Sequence, residues 1–152
     1  MNKKNNQKGS LHSFWLTDCI DEIFDNYSSY LNEKEPDLTI HDDLMIYFQD
    51  WFSWIKTTNP SGPDQDGFNM YGPSIINLSE QAILLKSICQ SFLDLYYTAP
   101  EQISLTTSYL NENNEIPKMT LKKEELIDVF KILLEFSEKV IEKKNYILHF
   151  GI

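Results

Sequence analysis

Between Asn77 and Tyr97 the chain puts apolar side chains on nearly every side of a helical cylinder. Leu78, Ala82, Leu85, Cys89, Phe92 and Tyr96 recur at helical spacing, while Ile83, Leu84, Ile88 and Leu95 occupy other sides. A helix apolar on so many sides is expected at the centre of a fold, with other elements around it. Its limits are marked as well. Asn77 with Glu80 three residues on forms a capping box, and Ala99-Pro100 ends the run.

Three further helices are expected around it. Leu16, Ile20, Ile23, Phe24, Tyr27 and Leu31 predict a helix from about Ser13 to Leu31, closed by the polar break up to Pro36. Thr39, with Asp42 three residues on, reads as the cap of a second helix running to about Lys56. Leu44, Phe48, Trp51 and Ile55 lie on its inner arc, with Met45 and Phe52 beside them. Thr120 reads as the cap of the last helix, with Glu124 and Glu125 in its first turns and Lys143 and Lys144 in its last. Leu126, Phe130, Leu133, Leu134 and Ile141 form its inner face, with Val140 close by.

Elsewhere the period changes. Ile103, Leu105, Thr107 and Tyr109 alternate with polar residues, Asn111 to Asn114 carry turn chemistry, and Glu115 to Met119 can return as a short edge strand limited by Pro117. Thr57 to Pro73 holds three glycines and three prolines and reads as a loop. Tyr146 to Phe150 is too apolar to dangle and is expected on the core or on the small sheet. The expectation is a mostly α (α+β) fold of about four packed helices with a small β-hairpin near residues 103–119. It forms one helical domain over residues 11–152 behind a flexible tail of residues 1–10.

Charge narrows the partners. The chain has 23 acids, 13 lysines and no arginine, for a net charge of −10. Residues 11–117 hold 17 of the acids against Lys34, Lys56 and Lys86. Such a field repels phosphate backbones and anionic membranes, and the bidentate contacts that arginine makes to bases are missing. No nucleic-acid or membrane partner is expected. No apolar run approaches the roughly 20 residues that span a bilayer, and the basic start has no apolar stretch after it, so the protein is expected in the cytoplasm. Cys19 and Cys89 sit in apolar patterns and read as reduced core thiols.

No catalytic pattern emerges. His41-Asp42-Asp43 is the one local cluster with acid–base or metal potential, but neighbouring helical residues diverge by about 100° and His12 and His149 are distant in sequence. Asp64-Gln65-Asp66-Gly67 resembles part of a calcium loop, yet Gly62 and Pro73 stand where oxygen ligands are required. The glycines fit no phosphate loop, and neither cysteine has a basic neighbour. No catalytic residue, metal ligand or cofactor is expected. One edge of the second helix has a different character. Asp43, Tyr47, Asp50 and Trp54 fall on one stripe there, followed in the chain by Asp64 and Asp66. Carboxylates beside rigid aromatic rings suit recognition of a basic protein surface.

Small size, a concentrated acidic field, many aromatics and the lack of a catalytic motif together resemble bacterial immunity proteins of contact-dependent inhibition and other polymorphic toxin systems. The resemblance is one of general character across the whole chain. It implies a non-enzymatic protein that neutralises a cognate toxin with a basic surface, often a nuclease domain. The alternative from the residues alone is a small acidic helical adaptor or regulatory protein. A hydrolase with dispersed carboxylates comes third.

Overall fold

A computed structural model describes residues 10–106 and 110–152. Its elements run β1 (Leu11–Thr17), α1 (Ile20–Glu33), β2 (Leu38–His41), α2 (Asp42–Phe52), β3 (Lys56–Thr57), β4 (Gln65–Asp66), β5 (Pro73–Ile76), α3 (Ser79–Tyr96), β6 (Gln102–Thr106), β7 (Lys118–Lys122), α4 (Lys123–Ile141) and β8 (Tyr146–Phe150). The fold is 44% helical and 25% strand, which makes it α+β rather than mostly α. A four-stranded antiparallel sheet in the order β2-β1-β8-β5 organises it, with two small hairpins, β3-β4 and β6-β7.

The sheet separates two apolar layers. On one face Trp15, Ile75 and Leu148 meet Ile23 and Tyr30 of α1. On the other, Phe14, Ile76 and Ile147 join the main core made by α2, α3, α4 and the β6-β7 hairpin. Phe48 of α2 sits at the middle of that core, with its ring 4.8 Å from Phe92 and 5.0 Å from Phe130. α3 therefore packs along α4 and α2, but α1 lies on the far side of the sheet. The expectation of helices all round α3 is corrected: Ile83 and Leu95 are more than half exposed, at 54% and 58%.

The largest departure is at the start. Residues 11–17, expected to open the first helix from Ser13, form a sheet strand because Phe14 and Trp15 are buried on opposite faces. The helix begins only after Thr17 Oγ1 accepts the Cys19 amide, at 3.1 Å. It is interrupted at Asn26 (φ −157, ψ 72), whose side chain bonds Ser29 in the next turn. Tyr146–Phe150 supplies an inner strand of this sheet, between β1 and β5.

Several boundaries also move. Thr39 lies in β2 and does not cap α2; His41 does so, its Nδ1 accepting the Asp43 amide at 3.1 Å. α2 ends at Phe52, four residues before Lys56. Thr120 lies in β7, so the returning strand is Lys118–Lys122 and α4 starts behind it. In front of α3 the capping group is Gln81, whose Oε1 accepts the Asn77 and Leu78 amides at 2.9 and 3.0 Å. Residues 1–9 of the expected tail, and Thr107 and Tyr109 of the expected alternation, lie outside the described residues.

The segment expected as one long loop is tied down along its length. Lys56 and Thr57 pair with Asp66 and Gln65, and Thr58 exchanges backbone bonds with Ile75. Gln81 Nε2 donates to the Lys56 carbonyl at 2.7 Å. Gly151 closes the far end: its N–H donates to Gly72 O, and a Cβ there would lie 2.3 Å from the Met70 carbonyl oxygen. Only glycine allows the chain to pass at that distance.

Candidate partner-binding surface

The exposed aromatic Trp54 stands just past the end of α2, 64% exposed. With Trp51 it forms one wall of a groove of about 410 Å³ whose other wall is the flank of α3: Leu84, Ile88, Phe92 and Leu95, with Ser87 and Ser91 between them. Trp51 is held in place by an edge-to-face contact with Phe92 at 5.2 Å. The wall is therefore braced by the core beneath it. On the other side of Trp54 a second hollow is lined by Asp64, Leu78, Glu80 and Leu84.

Asp64, Glu80 and Lys56 border the second hollow, while the groove itself is lined only by apolar side chains and serines. Asp50 lies one helical turn before Trp54, and Glu80 and Asp94 stand towards the two ends of α3. Among the described residues none of Asp50, Asp64, Glu80 and Asp94 forms an ion pair. The two lysines of the same stretch are already engaged, Lys56 with Asp66 and Lys86 with Glu138, each at 3.2 Å. The charged side chains that flank the groove along α2 and α3 are left net negative.

The structure divides the six residues singled out by the sequence. Trp54 and Asp64 share one hollow, while Asp50 and Asp66 share another with Met45, Phe52, Phe68 and Met70. Tyr47 is half-buried, edge-to-face on Phe48 at 5.0 Å. It also adjoins Tyr96, whose hydroxyl is pushed up to about 12, chiefly by burial and then by Tyr47. Asp43 faces a separate cavity between β2, β7 and α4. Its carboxylate lies 3.7 Å from His41 Nδ1, but that nitrogen accepts the Asp43 amide and so carries no proton for an ion pair. The hydrogen bond is the interaction that counts there.

Two features were missed. The first is the α3 wall: Ile88 does lie in the core, as its spacing predicts, and Leu84 packs against it, but both also line the groove together with Leu95, which is 58% exposed. The second is a buried polar row on the main-core face of the sheet, joining Asp42, His12, His149 and Ser74, with His12 2.9 Å from both Asp42 and His149. No local pattern could show it, since His12 and His149 are 137 residues apart. Both rings and Ser74 are fully buried, and only the Asp42 end of the row reaches the surface, 21% exposed. Among the described residues no group of three or more His, Cys, Asp or Glu is disposed to hold a metal ion, and no helix is long and apolar enough to cross a membrane. No protein-family model, curated protein or solved structure matches the chain.

Proposed function

We propose that the protein is a binding module of the immunity-protein kind, which neutralises a toxin domain by covering a basic surface. The observation that carries this reading is the groove beside Trp54, where an exposed aromatic anchor stands on a braced apolar wall and the hollow on its other side is lined by Asp64 and Glu80, neither of them in an ion pair. Interface energy concentrates in such anchors, with Trp foremost, while surrounding charges steer the encounter and select the partner. The occupant that fits is a protein element with one large apolar side chain for the groove and Lys or Arg on either side, to meet Asp50, Glu80 and Asp94. A second copy of this chain fits poorly, because a net charge of −10 on each partner opposes association.

A nuclease-type toxin suits this chemistry because the surface that takes a phosphate backbone has to be positive. The test is growth. Genes of this kind stand directly beside the toxin they neutralise, so the toxin domain encoded next to this chain is expressed alone and together with it. Rescue by the wild type and loss of rescue by Trp54→Ala, at equal soluble protein, support the reading. Equal rescue by both, or none by either, counts against it.

A further inference from the structure

The buried polar row can be assigned hydrogen by hydrogen. The Asp42 carboxylate only accepts, so His12 Nε2, 2.9 Å away, donates to it. In a neutral ring that leaves His12 Nδ1 as an acceptor, and His149 Nε2 at 2.9 Å is the donor. His149 Nδ1 is then an acceptor too, and takes the hydroxyl hydrogen of Ser74 at 3.3 Å. Ser74 Oγ in turn accepts from the Asn69 amide at 2.7 Å and from Gln65 Nε2 at 3.1 Å, which fills its two lone pairs. All bonds point one way, from the 65–74 segment through two strands to the N-terminus of α2. No buried side-chain donor or acceptor among the described residues is left over.

A proton added to either ring has the same effect. On His149 it turns Nδ1 into a donor aimed at Ser74 Oγ. On His12 it turns Nδ1 into a donor, so His149 must accept at Nε2 and carry its own hydrogen at Nδ1, again aimed at Ser74. Ser74 would then face three donors with two lone pairs, and its own hydrogen would lose its acceptor. We infer that the row is an acid-sensitive tie, which fastens the 65–74 segment to the sheet while both rings are neutral and releases it at Ser74 when either is protonated. Burial, and then the neighbouring His12, hold the pKa of His149 well below its usual value, so the tie is closed at neutral pH and opens on acidification.

The surroundings supply nothing to offset the added charge near Ser74. The rings of Phe14 and Phe68 pack on His149 at 4.8 and 4.9 Å. The segment itself offers neutral Gln65 and Asn69. His41 and Asp43 are turned to each other, and Asp66 pairs with Lys56 at the surface. Among the described residues α3 and α4 give the row no hydrogen bond or ion pair. Asp42 is the one charge among the described residues that is paired with either ring, at the opposite end. The released segment carries Asp66 and borders Asp64, so the tie would also loosen one side of the surface described above; the inference itself does not depend on what that surface binds.

Two measurements on the whole protein test it. Nitrogen-15 ring spectra at about pH 7.5 report the tautomers, and the expected result is hydrogen on Nε2 of both His12 and His149. Amide exchange, corrected for its intrinsic pH dependence, reports the tie itself. Between about pH 7.5 and 4, a window that reaches well below the ordinary histidine value of about 6.5 as the lowered pKa of His149 requires, protection of the Asn69 amide should fall by about tenfold relative to Ile75, which is held by backbone bonds. In Ser74→Ala, Asn69 should be weakly protected at both pH values while Ile75 stays protected. If Ser74→Ala does not fold, the ring spectra and the wild-type exchange profile still decide. Hydrogen on Nδ1 of His149 at neutral pH, or Asn69 protection that does not change with pH, would overturn the inference.

Discussion

His12 Nδ1 and His149 Nε2 lie 2.9 Å apart across β1 and β8, with their rings stacked at 5.2 Å and tilted by 16°. Two neutral imidazoles tolerate this distance, and two imidazolium ions do not. The unfolded chain has no such constraint, because there each histidine titrates near its ordinary value of about 6.5.

Stability should therefore depend on pH in one direction. The pKa of His149 is lowered on folding, so below about pH 6.5 the unfolded state binds more protons than the native state. The stabilisation is complete above that pH and is lost as pH falls towards the folded pKa. Denaturant unfolding of the wild type should give free energies that decline from about pH 6.5 downwards. His149→Gln should be less stable at neutral pH and should decline less steeply. A flat wild-type profile between pH 7 and 5 would rule this out.

Phe48 is the second test, because its ring touches Phe52, Phe92, Tyr96 and Phe130 and is 2% exposed. Phe48→Ala removes contacts from three helices at once and should cost about 3–5 kcal/mol, the range for a large aromatic lost from a core. Tyr71→Ala, at an exposed ring, should stay within about 0.5 kcal/mol. Similar unfolding midpoints for the two variants would mean that Phe48 does not join α2, α3 and α4.

Gln81 does its work through both ends of its amide. Oε1 accepts two N–H groups ahead of α3, and Nε2 donates to Lys56 O and to Thr58 Oγ1. Gln81→Glu keeps the acceptors but removes the donor, and it places a charge at a side chain only 6% exposed. A loss of about 2–3 kcal/mol is expected, comparable to leaving a buried partner unsatisfied. It should come with faster amide exchange in residues 56–58. Wild-type stability in this variant would remove Gln81 as the link between α3 and the preceding segment.

Much of this was legible in the sequence, and the rest failed for identifiable reasons. α3, α4 and the hairpin between them follow from Leu85, Phe92, Phe130 and Leu133 at helical spacing and Ile103 and Leu105 at alternate positions. The sheet did not show because its inner strands are buried on both faces. Phe14 and Trp15 are adjacent and both buried, as are Ile147, Leu148 and His149, so no period of two appears. Leu16 then extended the helical spacing of Ile20 and Ile23 backwards by coincidence. Trp54 and its neighbouring acids stood out in the sequence. Their partner wall on α3 did not, because Leu84 and Leu95 look the same in sequence whether they face a core or a groove.

The most direct test of the binding surface is calorimetric titration of the chain into the toxin domain proposed as its partner, at low and at moderate salt. Trp54→Ala should weaken binding by about 2 kcal/mol or more, roughly thirtyfold, as loss of a central aromatic anchor does. Asp50→Lys with Asp94→Lys should weaken it further at low salt and flatten its salt dependence, since rim charges act over about a Debye length. Asp128→Lys with Glu135→Lys, exposed on α4, should leave both quantities near wild type. If all the variants fold and bind with the affinity and salt dependence of the wild type, the Trp54 groove is not the surface that this protein uses.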